Sequence, residues 1–214
     1  MTSSPTPTAG ILLDLDGTLV DSVYQHVVAW HEAFADAGYD VPQWRIHRGI
    51  GMGSERIVPW LLGGHVDDAD ELTADHERRF LDRSETLQRT DGALELLDDL
   101  ERRAVPFTIS TSAGSETREK LLAVLGREDL PFTDADGVES SKPAPDLLLA
   151  SCTGAGIDPT KAIMVGDAPW DALAAGRAGM QAIAVRCGGF GDDVLLGAGA
   201  RRVVDGPRQL IGQL

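Results

Sequence analysis

The sequence predicts an α/β protein: a mostly parallel sheet covered by helices, with an all-helical unit inserted after the first strand. Three observations carry this reading. Short apolar runs recur along the chain, and each empties into small or polar residues. Helical patterns lie between those runs, and strands alternating with helices imply βαβ units. One interval, residues 24–88, keeps helical periodicity but offers no buried strand.

Taken in order, the Ser/Thr/Pro-rich residues 1–10 read as a disordered tail with neither the basic nor the apolar region of a secretory signal. Residues 11–15 (ILLDL) are the first apolar run and stop at Asp16-Gly17-Thr18, as a buried parallel strand empties into a loop. Tyr24, Val27, Val28, His31 and Phe34 then recur at helical spacing, and residues 54–62 and 70–87 also look helical and amphipathic. A helical insertion is therefore expected over residues 23–88, with Asp91-Gly92 marking the return; residues 11–22 and 89–214 make the main domain. Further strands are expected at residues 107–110, 162–165 and 182–185. Helices between and around them are marked by Leu94, Leu97 and Leu100, by Leu121, Leu122 and Leu125, and by residues 147–150 and 173–178. The Gly-rich stretch 188–199 follows the last expected strand and reads as a loop and short helix with no assigned role.

Composition narrows the function. With 43% hydrophobic and 25% charged residues, the 214-residue chain can bury a sizeable core. Its 19 Lys and Arg against 34 Asp and Glu give a net charge of −15. Such a surface repels polyphosphate backbones and anionic membranes, so neither nucleic acid nor a membrane is an expected partner. No apolar run approaches the ~20 residues of a membrane span. Cys152 and Cys187 lack metal-ligand spacing and make no disulfide framework, which fits a reducing cytoplasm. A monomer or small homo-oligomer is expected.

In parallel α/β sheets, chemistry collects beyond the carboxyl ends of the strands. Asp14 and Asp16 bracket Leu15 at such an end, and alternate side chains of a regular strand share a face, so both carboxylates can address one point. Like charges that close need a cation or a shared proton. An isolated Asp-x-Asp most often serves a turn or a helix start, but ending a buried strand with two carboxylates has no stabilising rationale. Asp21-Ser22 reads as helix-start capping. Ser110, Thr111 and Ser112 follow the next run, and hydroxyls with free amides at a strand-to-helix junction suit a phosphate oxygen. Capping of a helix from Ser115 is the plainer alternative. Lys142 is followed by Pro143 and Pro145, which fix the backbone and hold the amine in one place. Asp167 and Asp171 put another acidic pair after a strand, where Asp167 can also be read as a cap for the helix that Pro169 begins.

In this order, these motifs resemble the haloacid dehalogenase-like hydrolase superfamily in its phosphatase branch. The matching residues are Asp14-Leu15-Asp16-Gly17-Thr18, Thr111, Lys142-Pro143 and Gly166-Asp167 with Asp171, spread over about residues 11–185. The resemblance implies a Rossmann-like core and makes the helical insertion a mobile cap over the site. Asp14 is then the nucleophile that forms an aspartyl-phosphate, and Asp16 the general acid and base. Lys142 neutralises charge, while Thr111, Ser112 and nearby amides hold a phosphoryl oxygen; the register among Ser110, Thr111 and Ser112 stays open. Mg²⁺ is the implied cofactor, held by Asp14, the backbone carbonyl of Asp16, and Asp167, with Asp171 behind them. The implied reaction is hydrolysis of a small phosphorylated metabolite, a sugar phosphate or a phosphoglycolate-like acid.

Within the cap, Arg45, His47 and Arg48 beside a Gly-rich turn stand out in so acidic a chain. They are expected to meet the substrate as the cap closes; ordinary surface charge with stems packed on Trp44 is the alternative. His26 and Trp30 fall where β-phosphoglucomutase-like members carry a His and a Trp near the hinge. That adds His26 to the expected substrate contacts and keeps a sugar-phosphate mutase as the alternative activity. A non-catalytic binding protein on the same fold is a third reading, against which the complete set of acid, nucleophile, lysine and metal carboxylates speaks.

Overall fold

In the computed structural model, which describes residues 8–133 and 140–214, the first apolar run becomes β1 (Thr8–Leu13). A two-residue β2 (Val20–Asp21) leads into four helices, α1 (Val23–Asp36), α2 (Gln43–Gly49), α3 (Ser54–Leu62) and α4 (Ala69–Asp82). The chain returns through β3 (Gln88–Arg89), which pairs antiparallel with β2. Then come α5 (Ala93–Arg102), β4 (Phe107–Ser110), α6 (Ser115–Leu125), β5 (Phe132–Thr133) and α7 (Asp146–Ala155). The last part is β6 (Ile157–Gly166), α8 (Pro169–Arg177), β7 (Gln181–Val185), α9 (Asp192–Gly197) and β8 (Arg202–Val204).

The main sheet is parallel throughout, in the order β5-β4-β1-β6-β7-β8. Central β1 is apolar on both faces because both faces are covered. Ile11 and Leu13 pack with Leu96, Leu97 and Leu121 on one side, and Leu12 packs with Leu148 and Met164 on the other. Leu13 stands opposite both Ile109 and Val165, so β1, β4 and β6 end at one level and deliver their following residues to one edge. The four inserted helices bury a separate cluster that includes Val27, Trp30, Phe34, Ile46, Ile57 and Leu72. That unit is joined to the rest through the β2–β3 ribbon, while Ala29 of α1 and Phe80 of α4 pack into the core cluster beneath it. Among the described residues no helix is long and apolar enough to cross a membrane.

Several expectations need correction. The tail expected over residues 1–10 is too long, because Thr8 pairs with Ile157 and Gly10 with Ala162 inside the sheet; residues 1–7 lie outside the described residues. The first strand stops at Leu13, so Asp14 and Asp16 stand in the loop beyond it rather than alternating on a regular strand. The helix expected at 70–87 breaks at Asp82 and is followed by a 3₁₀ turn, Ser84–Thr86. β5 and β8 were not anticipated, and β8 follows the Gly-rich stretch 188–199, which is therefore not the end of the sheet. Both are edge strands of two or three residues without a fully buried run, so they leave no apolar signal.

Candidate active site

Asp14 is the first residue past β1, and its N–H donates to the Val165 carbonyl at 2.9 Å, which ties the loop to the end of β6. Lys142, 1% exposed, places Nζ 2.5 Å from Asp14 Oδ1 and 2.8 Å from Asp171 Oδ1, and donates to the Ser110 carbonyl at 3.0 Å. Burial alone would lower its pKa; the Asp14 and Asp171 carboxylates outweigh that and hold it above the ordinary lysine value. Asp171 Oδ2 accepts from the Ala168 N–H at 3.1 Å, so both of its oxygens are engaged and it anchors the lysine. The Thr18 hydroxyl donates to Asp167 Oδ1 at 3.0 Å and lies 3.5 Å from Asp14 Oδ2.

Two buried carboxylates thus face one ammonium, and a third, Asp167, stands beside them. Asp14, Asp167 and Asp171 offer oxygens that all lie within 4.8 Å of one another. Burial, then repulsion from Asp171 and Asp16, pushes Asp14 up to about 7 in spite of Lys142. Burial and the charges of Asp14 and Asp171 push Asp167 well above the usual carboxylate range. The cluster is short of positive charge, and an all-oxygen donor set of this kind fits a hard divalent cation.

Asp16 is held differently. Its Oδ1 accepts from the Ser22 hydroxyl at 2.7 Å and meets His26 Nε2 at 2.9 Å. Burial would raise its pKa, but the His26 charge and these bonds outweigh it and hold the carboxyl below its ordinary value. Ser22 also accepts from the Gly17 N–H at 3.2 Å and makes no side-chain cap on α1, which corrects its reading as a helix-start device. His26 Nδ1 meets His76 Nε2 at 3.0 Å, with His26 stacked on Phe80 and His76 on Trp30. Burial, with the His26 charge adding to it, pushes His76 well below the usual histidine pKa, so its ring is neutral.

Of the three hydroxyls after β4, Ser110 turns away and accepts from the Ser151 hydroxyl at 2.9 Å. Thr111 and Ser112 line the cavity between core and cap. Thr111 Oγ1 accepts from the Ala113 N–H at 3.1 Å, and buried Ser112 Oγ has no partner among the described residues. Neither caps α6, whose cap position is Gly114. Asp167 likewise caps nothing; α8 starts from Ala168 and uses Asp171.

With carboxylates, lysine and hydroxyls converging at one sheet edge beneath an inserted cap, comparison with known proteins is direct. The profile of the haloacid dehalogenase-like hydrolases matches residues 8–179. The chain belongs to that family. Validoxylamine A 7'-phosphate phosphatase of Streptomyces hygroscopicus subsp. limoneus is 33% identical, over 79% of this chain and 81% of that protein. Fructose-1-phosphate phosphatase YqaB of Escherichia coli is 32% identical, over 83% of this chain and 96% of its own length. A hydrolase from Pseudomonas syringae superposes with a TM-score of 0.93 at 34% identity, over 96% of this chain and 97% of that one. Within the haloacid dehalogenase-like hydrolases the chain is of the phosphatase class.

The cavity of this hydrolase, about 200 Å³, is floored by Asp14, Asp16, Thr111 and Ser112 and roofed from the cap by His26, Trp30, Ile50, Met52, His76 and Glu77. His26 thus lines the cavity. Arg45, His47 and Arg48 do not line the cavity, which corrects their assignment as substrate contacts. On α2, Ile46 and Gly49 face inward, which leaves Arg45 and Arg48 exposed. Arg48 lies over the Trp44 ring at 5.7 Å, and His47 bonds the Gly188 carbonyl at 2.8 Å between the Tyr24 and Phe190 rings.

Four residues that matter here had no assigned role in the sequence: Thr18, His76, Glu77 and Gly188. A Cβ on Gly188 would fall 1.8 Å from Asp167 Oδ2. The Gly-rich stretch is thus where the backbone closes on a candidate metal carboxylate, and its glycines were the available signal.

Proposed function

We propose that the protein is a Mg²⁺-dependent phosphatase that hydrolyses a small phosphorylated metabolite, a sugar phosphate or a phosphoglycolate-like acid, through an aspartyl-phosphate on Asp14. The observation that carries this reading is the buried cluster of Asp14, Asp167 and Asp171, two of them paired with Lys142, beside a free hydroxyl at Ser112. Asp14 and Asp167 and, as the family implies, the Asp16 carbonyl would hold Mg²⁺, which would supply positive charge against the phosphoryl oxygens. The remaining work falls to the chain itself. An Asp14 oxygen forms a bond to phosphorus as the bond to the leaving oxygen breaks. Lys142 balances the nucleophile's charge, and Thr111 and Ser112 donate to a phosphoryl oxygen. The family resemblance gives Asp16 the proton exchange with the leaving oxygen and then with the water that cleaves the acyl phosphate. Its carboxyl is ionised before substrate binds and must take up that proton as the phosphate's negative charge arrives. Its Oδ2 receives no bond from the described residues and faces the cavity, so that atom is the one left to exchange the proton.

A phosphatase is favoured over a mutase by the cavity wall. A mutase must hold a second phosphate, and no Lys or Arg is among the described residues that line the cavity. The test is a panel of phosphorylated metabolites assayed for inorganic phosphate, with and without chelator. Metal-dependent, stoichiometric phosphate release is expected. Isomerisation that needs a bisphosphate activator, with little phosphate released, would favour the mutase and sink this reading.

A further inference from the structure

The cavity-facing side of α4 has no part in the chemistry above. Thr73, His76 and Glu77 stand at i, i+3 and i+4, which is one face of a helix, and all three line the cavity. Glu77 crosses from cap to core: its Oε1 accepts from the Thr117 hydroxyl at 3.3 Å, and a Cβ on Gly114 would come within 3.1 Å of the same oxygen. A cap carboxylate therefore stands against the end of the loop that carries Thr111 and Ser112, on the side of the site open to a leaving group. Among the described residues Glu77 forms no ion pair, and no Lys or Arg lines the cavity around it. Beside it His76 is a neutral ring, and Trp30, Ile50 and Ile57 complete an apolar wall.

We propose that Glu77 makes the site selective for a neutral, hydroxylated leaving group, a sugar or polyol bearing one phosphate, and rejects substrates that carry a second anion on that side. This rests on the phosphatase reading and deepens it. A carboxylate accepts hydrogen bonds and cannot donate one, so a substrate hydroxyl is a partner for it. A substrate carboxylate or second phosphate meets a like charge and finds no cation to offset it, and discrimination commonly depends on such a repulsive element. Thr73 already donates to the Ala69 carbonyl at 2.9 Å, so its oxygen is left to accept from a second hydroxyl. Trp30, Ile50 and Ile57 offer apolar surface on which the substrate's carbon skeleton would rest.

The experiment measures kcat/KM with Mg²⁺ for a hexitol 6-phosphate, 2-phosphoglycolate and p-nitrophenyl phosphate in the wild type, Glu77→Gln and Glu77→Arg. The wild type is expected to favour the hexitol phosphate over phosphoglycolate by about 10-fold or more. That ratio should shrink at least about 5-fold in Glu77→Gln and invert in Glu77→Arg. A wild type that prefers phosphoglycolate, or variants that lose activity equally on both substrates, overturns the proposal; the second result makes Glu77 a closure contact for Thr117. Hydrolysis of the aryl phosphate without selectivity overturns the specificity alone, whereas no hydrolysis of any probe overturns the phosphatase reading with it. A wild type without that preference overturns the proposal even if neither variant folds.

Discussion

The floor and the roof of the cavity are built on opposite electrostatic plans. Beneath the floor, Lys142 pairs with Asp14 and Asp171 while Asp167 is held by the Thr18 hydroxyl, all of them buried. In the roof, two stacked histidines and a tryptophan line the cavity together with a single carboxylate, Glu77. The phosphoryl group brings charge that must be matched, and the floor matches it. The leaving group is read above by shape and hydrogen bonds. Asp16 joins the two, since it follows β1 in the core yet accepts from His26 on the first cap helix.

If that division holds, floor substitutions destroy turnover on every substrate. Asp14→Asn keeps the shape and removes the nucleophile; a loss of about 10³-fold or more in kcat is expected, with the fold kept. Circular dichroism and phosphate release on one preparation check both parts. Wild-type-like turnover would overturn the nucleophile assignment. Gly188→Ala should act next most strongly. Its methyl would stand where Asp167 Oδ2 now lies, so the carboxylate must turn away. A fall of roughly 10- to 100-fold in apparent Mg²⁺ affinity is expected, read by Mg²⁺ titration of activity and of thermal stability. Gly17 approaches the same carboxylate from the other side with φ near +70°, so Gly17→Ala combines the clash with backbone strain and serves as the harsher comparison.

Why the floor was legible and the roof was not follows from how each is encoded. Floor residues sit at fixed offsets from strand ends, and apolar runs such as Ile11-Leu12-Leu13 announce those ends by being hydrophobic on both faces. Once the runs are found, Asp14 and Asp167 are weighted by position, and Lys142 by the prolines that follow it. Roof residues lie on amphipathic helices, where the pattern gives an inner face but not what that face meets. Arg45 and Arg48 were conspicuous by charge and stand outside. His26 was noticed, yet its partner His76 lies 50 residues away and only tertiary packing unites them. β5 and β8 escaped for a related reason, since short edge strands carry no apolar run.

The histidine pair offers a test of the roof by pH. His76 is buried and its folded pKa lies well below the usual value, so the unfolded chain binds a proton that the folded one refuses. Its contribution to stability is intact above the unfolded value and declines as pH falls below about 6.5, by up to ~1.4 kcal/mol per pH unit. Replacing it in His76→Phe keeps a ring against Trp30 and removes the titration. Chemical denaturation at pH 7, 6 and 5 should show the wild type losing more stability than the variant over that range. Parallel profiles would contradict a neutral buried His76.

The smallest effect is expected where floor and roof touch without sharing chemistry. Ser141 accepts from the Gly53 N–H at 3.0 Å, and its own N–H and hydroxyl donate to Glu55 Oε1 at 3.1 and 2.5 Å, so the turn before α3 is fastened to the residue beside Lys142. These bonds exist only while the cap is shut, so they act on the balance between open and closed forms rather than on the reacting atoms. Ser141→Ala removes the hydroxyl but leaves the backbone N–H to Glu55, and losing such bonds at a seam where Ser141 is buried and Glu55 exposed costs about 1 kcal/mol, or roughly 5-fold in the closed fraction. kcat/KM should fall by about that factor for neutral and anionic substrates alike, because the latch does not see the leaving group. Selectivity should therefore stay constant in Ser141→Ala and change in Glu77→Gln. A shift of the hexitol phosphate to phosphoglycolate ratio in the serine variant would show that closure itself sets specificity, and the division between floor and roof would fail at the seam.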